Sequence, residues 1–237
     1  MTSSIEGRRI LLTGASRGIG LAAARLLVEQ GAVVLGVARD GERLAGVQAE
    51  LGAASGGRFL SMAVDLGRPE AAELIRAKIE STWGAVDVVI HNAGVMLHHE
   101  GGIMEEPEGV LEQTMDLNVM APLRVTRALL PLLLKGERPQ LFNVGSGAGT
   151  HQGMTEPGIS AYRLSKWALH GLTMLQARDL SGRVAVHVFD PGWVRTDLGG
   201  PNAPGTAEEA AQGLLKTLLA AGDQPCALFK DGAVIPW

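Results

Sequence analysis

The sequence contains very little cysteine and tyrosine, with one residue of each among 237, and aromatic side chains make up only 4% of it. A single cysteine, Cys226, excludes an internal disulfide, so we expect a reducing compartment and a cytoplasmic location. The only tyrosine, Tyr162, has no second tyrosine that could replace it in a reaction that needs a phenol.

The chain also lacks concentrated charge and long apolar runs. Lysine and arginine number 21 against 25 acidic residues, the net charge is −4 and the isoelectric point lies near 5.9. No segment gathers the basic residues that nucleic acid or an anionic membrane requires. The apolar runs are shorter than the roughly 20 residues that span a bilayer, and residues 1–9 lack the apolar core of a signal peptide. We therefore expect neither a nucleic-acid nor a membrane partner.

The composition that remains is rich in core-forming residues. Hydrophobic residues make up 46% of the chain, charged residues 19%, and the mean hydropathy is +0.15. The 32 glycines are scattered between apolar runs and form no repeat. This composition is typical of one globular domain of about 200 to 250 residues, so we predict a single domain over residues 1–237.

Short apolar runs without polar alternation indicate strands that are covered on both faces, and segments with helical spacing lie between them. The predicted strands are residues 9–13, 33–37, 58–64, 86–92, 140–144, 184–190 and 226–230, and the predicted helices are residues 19–30, 41–51, 69–83, 107–134, 161–179 and 207–221. Thr206 and Glu209 predict a capping box at the last helix. The alternation predicts an α/β fold, a doubly wound (Rossmann) parallel sheet with helices on both faces.

A glycine-rich turn, Thr-Gly-Ala-Ser-Arg-Gly-Ile-Gly from Thr13 to Gly20, follows the first strand and opens the first helix. Glycines there let the backbone approach a phosphate at the helix N-terminus, which predicts a dinucleotide site. The spacing is GxxxGxG, and the alternative is a plain tight turn.

The end of the second strand bears on the choice of cofactor. An acidic side chain there would bind a ribose hydroxyl and repel a 2′-phosphate, whereas here Ala38 is followed by Arg39, which can bind a phosphate bidentately. Arg17 could supply a second cation. This pattern favours NADP(H) over NAD(H); the alternative is a solvated Arg39 beside Asp40.

Tyr162 and Lys166 are four residues apart in a predicted helix and therefore share a face. A nearby ammonium favours phenolate and lowers the pKa of a tyrosine from its usual value near 10, which makes acid-base catalysis possible. The alternative is a core tyrosine and a surface lysine that share a spacing by chance.

Taken together, these motifs resemble the short-chain dehydrogenase/reductase family, in its single-domain branch. The likeness covers nearly the whole chain, and besides the glycine-rich turn it rests on Asp65, Asn92-Ala93-Gly94, Asn118, Ser146, Tyr162 with Lys166, and Pro191-Gly192. A looser likeness, carried by Pro-Gly-Trp-Val-Arg-Thr-Asp at residues 191–197 and by the ending Ile-Pro-Trp, is to sniffer-type carbonyl reductases and bacterial C-signal proteins. Two departures are the lone serine of Val-Gly-Ser-Gly-Ala-Gly and His91 before the Asn-Ala-Gly.

The resemblance implies roles for these residues. Ser146 would hydrogen-bond the substrate carbonyl, and Tyr162 would transfer the proton. Lys166 would hold the ribose and lower the tyrosine pKa, and Asn118 would support a water that relays protons to Lys166. The motifs and the resemblance together place the cofactor against Gly14, Ser16, Arg17, Gly18, Ile19, Gly20, Arg39, Asp65, Leu66, Asn92, Ala93, Gly94, Tyr162, Lys166, Pro191, Gly192, Val194 and Thr196.

The expected function is NADPH-dependent reduction of a ketone or aldehyde to an alcohol. The alternatives are a C-signal-like signalling protein and an NADP-sensing regulator with little or no turnover. We also expect a homodimer or homotetramer, since residues 107–134 and 161–179 hold more apolar side chains than one sheet face needs and relatives commonly pair there.

Several other residues were considered as functional candidates. His91, His98 and His99 lack the spacing of a metal site, so we expect no metal, and Cys226 is too isolated to be proposed as a nucleophile. His151 and Met154 either line the substrate pocket or are merely exposed. The glycines and prolines of residues 192–205 predict a mobile lid, and the alternative is a rigid turn.

Overall fold

The computed structural model describes residues 4–222 and 224–237. Its strands are β1 (Arg9–Thr13), β2 (Val33–Ala38), β3 (Phe59–Ala63), β4 (Val88–His91), β5 (Gln140–Val144), β6 (Ala185–Phe189), β7 (Leu228–Lys230) and β8 (Ala233–Ile235). Its helices are α1 (Gly18–Glu29), α2 (Gly41–Ala54), α3 (Ala71–Thr82), α4 (Val110–Met115), α5 (Ala121–Leu133), α6 (Ser160–Asp179) and α7 (Ala207–Ala221). A π-helical stretch, Asp116–Met120, joins α4 to α5. None of the described helices is long and apolar enough to cross a membrane.

The strands form one sheet in the order β3-β2-β1-β4-β5-β6-β7-β8. All pairs from β3 to β7 are parallel, and β8 is antiparallel to β7. The chain builds β1, β2 and β3 outward in one direction and then returns to place β4 on the other side of β1. The connections after β1 and β4 therefore run in opposite directions, and a crevice opens between them at the carboxyl ends of the strands. This topology confirms the predicted doubly wound α/β fold.

Two hydrophobic cores lie on the two faces of the sheet. Along β1, Ile10 and Leu12 contribute to the core under α1, α2 and α7, while Leu11 contributes to the core under α3 and α5. Successive side chains of a strand point to opposite faces, so a sheet covered on both sides needs apolar residues at every position. This explains why the strands read as unbroken apolar runs.

The predicted boundaries hold to within a few residues, with two differences. The predicted helix 107–134 is interrupted by the π-helical stretch. The three-residue strand β8, whose Ala233 and Val234 are exposed, was not predicted. The predicted capping box of α7 is present, since the Glu209 N–H donates to Thr206 Oγ1 at 3.1 Å and the Thr206 N–H donates to Glu209 Oε2 at 2.8 Å.

Candidate active site

The segments that follow β1, β4, β5 and β6 meet at the carboxyl edge of the sheet, because parallel strands all end at the same edge. They carry the glycine-rich turn, Asn92, Ser146 and Pro191, and α6 brings Tyr162 and Lys166 beside them. The structure thus gathers most of the predicted site residues at one place.

The glycine-rich turn is built from backbone. Gly14 has φ +73° and its N–H donates to the Val37 carbonyl at 2.7 Å. A Cβ at Gly20 would overlap the Gly14 carbonyl oxygen, so the turn needs glycine there. α1 begins at Gly18 and has no acidic residue in its first turn, which leaves the positive end of the helix open to an anion.

Asn92 joins the end of β4 to the end of β1. Its side-chain amide donates to the Thr13 carbonyl at 2.9 Å, and Thr13 Oγ1 accepts from the N–H groups of Asn92 and Ala93, both at 3.0 Å. A Cβ at Gly94 would lie 3.2 Å from Asn118 Oδ1 and 3.7 Å from Lys166 Nζ. These residues therefore line the crevice between the glycine-rich turn and α6.

Asp65 and Leu66, predicted to flank the adenine, follow β3. Asp65 Oδ1 accepts from the Gly67 N–H at 3.0 Å, which closes a tight turn. Leu66 is buried, and its carbonyl accepts from Arg124 at 3.1 Å. The two residues lie next to the end of β2 because β2 and β3 are neighbours in the sheet.

Arg39, predicted to bind a 2′-phosphate, is exposed just after β2 and makes no side-chain hydrogen bond or ion pair within the described residues. Asp40 has other partners: its carboxylate caps α2 by accepting from the Arg43 N–H at 3.0 Å, and it forms an ion pair with Arg43 Nε at 3.2 Å. Asp40 is therefore not the partner of Arg39, and the exposed Arg39 side chain is compatible both with the predicted phosphate contact and with the alternative of a solvated arginine.

Arg17 has a partner that the sequence did not predict. Its guanidinium forms an ion pair with Asp197, and both side chains are exposed. The pairing arises because residues 193–205 lie across the turn: the Thr196 methyl group is 3.1 Å from the position that a Cβ would take at Gly18. In this arrangement Arg17 is paired with a carboxylate, and its role as a second phosphate cation stays a prediction.

The segment predicted as a lid is internally hydrogen-bonded. Val194 and Gly205 form a β-bridge at its base, the Trp193 indole donates to the Gly199 carbonyl at 2.8 Å, and Arg195 donates to the carbonyls of Ala203 and Pro204. These contacts favour the rigid-turn alternative, and the mobile lid stays a prediction.

Ser146 follows β5 and caps a short 3-10 turn, Gly147–Gly149. Its hydroxyl accepts from the Ala148 N–H at 3.1 Å, and its own N–H donates to His170 Nε2 at 3.4 Å. His170 lies on α6 and is buried, and burial lowers its pKa to about 4. The neutral imidazole is therefore available as the acceptor that holds the Ser146 backbone.

Tyr162 and Lys166 share one face of α6, as their spacing predicts. The Lys166 ammonium lies 5.5 Å from the centre of the Tyr162 ring, within the range of a cation–π contact, and donates to the Val144 carbonyl at 2.7 Å. Lys166 is only 4% exposed, which rules out the alternative of a surface lysine.

The pKa of Tyr162 differs from its prediction. Burial raises the pKa to about 12, the Asp190 carboxylate raises it too, and only the Ser146 hydroxyl acts in the opposite direction. Burial also lowers the pKa of Lys166 to about 8, against the effect of Asp190. The pKa of Tyr162 is therefore raised and not lowered as expected, because desolvation of the phenol dominates and Lys166 is not among the groups that shift it.

Asn118 lies in the π-helical stretch, where such a bulge turns a side chain out of the ordinary helical register. Its Oδ1 accepts from the Val95 N–H at 2.8 Å, and its Nδ2 donates to the Val95 carbonyl and to Ser165 Oγ, both at 2.9 Å. The side chain thus ties the segment after β4 to α6, while its predicted role in a water relay stays a prediction.

Three residues at this edge were not predicted. His170 holds the Ser146 backbone, and its spacing of four residues from Lys166 could have shown that it shares their face. Asp190, after β6, is buried beside the Ser146 turn. Glu106 accepts from the Ala161 N–H at 2.8 Å and so caps the start of α6. The last two contacts join distant segments, and no local pattern reveals them.

The other histidines considered above, Met154 and Cys226 take no part in the arrangement of Ser146, Tyr162 and Lys166. His91 is buried against the Thr126 hydroxyl at 2.8 Å and burial lowers its pKa to about 3, while His98 lies 3.2 Å from Glu106. His151 and Met154 are exposed in the segment between Ser146 and Tyr162. Burial raises the pKa of Cys226 to about 11, and that residue lines a cavity of about 620 Å³ at the opposite, amino-terminal edge of the sheet.

Comparisons with known proteins show which family the chain belongs to. The sequence pattern of the short chain dehydrogenase family matches residues 8–206. The chain is 33% identical over 201 residues to the 3-oxoacyl-(acyl-carrier-protein) reductase FabG of Vibrio cholerae, covering 82% of this chain and 77% of that protein. It is 30% identical over 196 residues to the NADPH-dependent pterin aldehyde reductase of Arabidopsis thaliana, covering 83% of this chain and 78% of that protein. The solved structure of the carbonyl reductase Sniffer of D. melanogaster matches with a TM-score of 0.88 at 26% identity, over 98% of this chain and 100% of that chain.

Proposed function

The chain belongs to the short-chain dehydrogenase family, and from that premise we propose that it reduces the carbonyl group of an aldehyde or ketone to an alcohol with NADPH. The observation that carries this proposal is the meeting of Ser146, Tyr162 and Lys166 next to the glycine-rich turn at one edge of the sheet. The names of the two curated relatives both describe carbonyl reduction, and one specifies NADPH.

The residues at this edge fit a dinucleotide. The turn can be this tight only because Gly20 has no Cβ, which would collide with the Gly14 carbonyl, so backbone and not side chains stands at the N-terminus of α1. The open N-terminus of α1 suits a pyrophosphate. NADPH bound there supplies the hydride for the carbonyl carbon.

The roles of the catalytic side chains follow from their protonation. With a pKa of about 12, Tyr162 carries its proton at neutral pH, which is the state that a proton donor needs in the direction of reduction. The Ser146 hydroxyl, beside the phenol, would donate a hydrogen bond to the carbonyl oxygen and hold it within reach of Tyr162. The buried Lys166 ammonium would stabilise the negative charge left on the phenol oxygen after the proton transfer.

Arg39 supports NADP(H) over NAD(H). It is exposed at the end of β2 without a carboxylate partner among the described residues, and Ala38 precedes it where an acidic residue would repel a 2′-phosphate. The proposal assigns the phosphate to Arg39 alone, since Arg17 is paired with Asp197.

We also propose a homodimer or homotetramer in the cytoplasm. The outer face of α6 exposes Trp167, Met174 and Leu175, which are 44%, 44% and 52% exposed. Large apolar side chains grouped on one helix are typical of an interface. Light scattering at micromolar concentration should give the mass of two or four chains, and the mass of one chain would contradict this expectation.

The function is tested by following nicotinamide oxidation across a panel of aldehydes, ketones, quinones and 3-oxoacyl thioesters, with NADPH and NADH side by side. We expect turnover of at least one carbonyl class and a preference for NADPH. NADPH binding without turnover of any carbonyl would instead support the regulator without catalysis, which has no need of the pairing of Tyr162 with the buried Lys166.

A further inference from the structure

The segment from Ala233 to Trp237 lies along the last edge of the sheet, where β8 pairs with β7 in antiparallel register. Most of it faces solvent, since Ala233, Val234 and Pro236 are exposed. Trp237 is half-buried in spite of its size. The indole therefore packs against a neighbouring element and does not extend into solvent.

The indole of Trp237 packs against His170 of α6. The centres of the two rings are 5.7 Å apart, and the ring planes make an angle of 68°. Aromatic pairs prefer this edge-on arrangement, with ring centres about 4.5 to 7 Å apart. Each ring occupies space into which the other would have to turn, so Trp237 restrains the orientation of the His170 imidazole.

His170 in turn contacts the backbone that carries Ser146. Its Nε2 accepts from the Ser146 N–H at 3.4 Å, and the same nitrogen is 2.4 Å from the position that a Cβ would take at Gly145. His170 is only 4% exposed, and the neutral ring has a lone pair with which it can accept. A turn of the imidazole would remove this acceptor and leave the Ser146 N–H without its partner. The position of Ser146 therefore depends on the orientation of His170.

We propose that Trp237 is a positioning residue for carbonyl reduction, and that it acts through His170 on Ser146. The indole holds the imidazole in the orientation that accepts from the Ser146 N–H, and this hydrogen bond fixes the residue whose hydroxyl would bind the carbonyl oxygen. The inference rests on the proposed function, because it assigns to Trp237 the support of the serine that carbonyl reduction requires. The alternative is that Trp237 only covers apolar surface and stabilises the fold.

The chain of contacts is tested first without substrate, by NMR-detected hydrogen exchange at the Ser146 amide. Trp237→Ala should speed this exchange by about 2- to 10-fold, the effect of one aromatic contact on a local opening. Trp237→Phe keeps an aromatic ring and should exchange nearly as slowly as the wild type. Amides of β1 report the stability of the whole fold in the same experiment, and the increase at Ser146 should exceed theirs.

Trp83→Ala is the matched control. Trp83 is also half-buried, but it stands at the end of α3 and packs against the core under α3 and α5. This variant should lose stability without a selective change at the Ser146 amide. If Trp237→Ala does not fold, Trp237→Leu replaces it, because leucine covers apolar surface without an aromatic ring.

The second test measures carbonyl reduction. Trp237→Ala should lower kcat/KM by about 2- to 10-fold and leave the Kd of NADPH unchanged, while Trp237→Phe restores most of the loss. Trp83→Ala should keep the wild-type kcat/KM. In a His170→Ala background, Trp237→Ala should cost nothing further, since two residues that act in series are not additive.

Three results would each overturn the proposal: exchange at the Ser146 amide that rises no more than at the β1 amides, a wild-type kcat/KM in Trp237→Ala, or losses that multiply fully in the double variant. Each would leave Trp237 as a cover of apolar surface only. A wild-type protein that reduces no carbonyl would instead contradict the proposed function. The exchange experiment needs no substrate, so it still decides whether Trp237 supports the Ser146 backbone.

Discussion

The candidate site has two halves that are built differently. The catalytic half, Ser146, Tyr162, Lys166 and Asn118, is held by side-chain hydrogen bonds to backbone and by burial that shifts the pKa of Tyr162 and Lys166. The phosphate half, the glycine-rich turn with Arg39, is shaped by glycine backbone and carries its cations on exposed side chains. Removal from water strengthens electrostatic effects, and exposure screens them. The chemistry should therefore depend steeply on single buried groups, and cofactor choice more weakly on exposed charges.

The largest effect is expected for Tyr162→Phe. The variant keeps the ring and loses the proton donor, so kcat for carbonyl reduction should fall by at least about 100-fold, the lower end for general acid catalysis. NADPH affinity, measured by the fluorescence of the bound nicotinamide, should change little. Ser181→Ala, which removes an exposed hydroxyl just after α6 and away from the site, is the control. Substantial turnover by Tyr162→Phe would contradict the assignment of Tyr162 as the proton donor of the catalytic half.

Arg39→Asp tests the phosphate half of the site. NADPH binding should weaken by about 1.5 to 3 kcal/mol, the loss of a hydrogen bond to a charged group, which is about 10- to 150-fold in Kd. NADH binding should not weaken, because NADH has no 2′-phosphate. Arg127→Asp, exposed on α5, makes the same charge change away from the site. An unchanged preference for NADPH would mean that Arg39 does not contact the phosphate.

Acid should lower the stability of the fold through three histidines with lowered pKa values, His91, His170 and His187, which lie on β4, α6 and β6. Burial lowers the pKa of His91 to about 3 and those of His170 and His187 to about 4. The folded protein keeps them neutral while the unfolded chain takes up protons below about pH 6.5. The stability that the neutral histidines contribute should therefore be complete above pH 6.5. Between pH 6.5 and 4 the free energy of unfolding should fall by up to about 1.4 kcal/mol per pH unit for each histidine.

His187→Phe isolates one of these contributions. The ring of His187 lies 5.6 Å from that of Phe142 and 5.1 Å from that of Phe229, and neither of its nitrogens has a hydrogen-bond partner among the described residues. Denaturant unfolding at several pH values should show a shallower loss of stability in acid for His187→Phe. The exposed control His151→Phe should keep the wild-type pH dependence, and an unchanged slope in His187→Phe would contradict the account.

The smallest effect is expected at the ion pair between Arg17 and Asp197. Both side chains are exposed, with 60% and 67% of their surface accessible, and such pairs are worth about 0.2 to 1 kcal/mol. Asp197→Asn should release Arg17 toward the 2′-phosphate and tighten NADPH binding by no more than about fivefold. Titration calorimetry with NADPH and NADH measures this gain. Weaker binding of both cofactors would show instead that the pair holds the segment 193–205 in place.

The sequence predicted the backbone-built features of the fold well, because each depends on a local pattern. The bounds of β1, β5 and α7 were predicted to the residue, and the glycine-rich turn follows β1 as its motif requires. The spacing of Tyr162 and Lys166 likewise predicted a shared helix face. In each case a few neighbouring residues determine the geometry.

What the sequence could not supply are contacts between distant segments and the degree of burial. The partner of Arg17 is 180 residues away along the chain, and Asp190 reaches the Ser146 turn only because β5 and β6 are paired. The pKa of Tyr162 was predicted in the wrong direction because desolvation depends on the packing around the phenol, which spacing within a helix does not reveal.

The measurement that tests the central claim most directly follows the hydrogen atom itself. The wild-type protein is incubated with a carbonyl compound from the panel and with NADPH that carries deuterium at the transferable position of the nicotinamide. If the chain is a carbonyl reductase, mass spectrometry should find one deuterium on the carbinol carbon of the alcohol, with the hydroxyl proton derived from solvent through Tyr162. An alcohol without deuterium, or bound NADPH that yields no alcohol from any carbonyl offered, would contradict it.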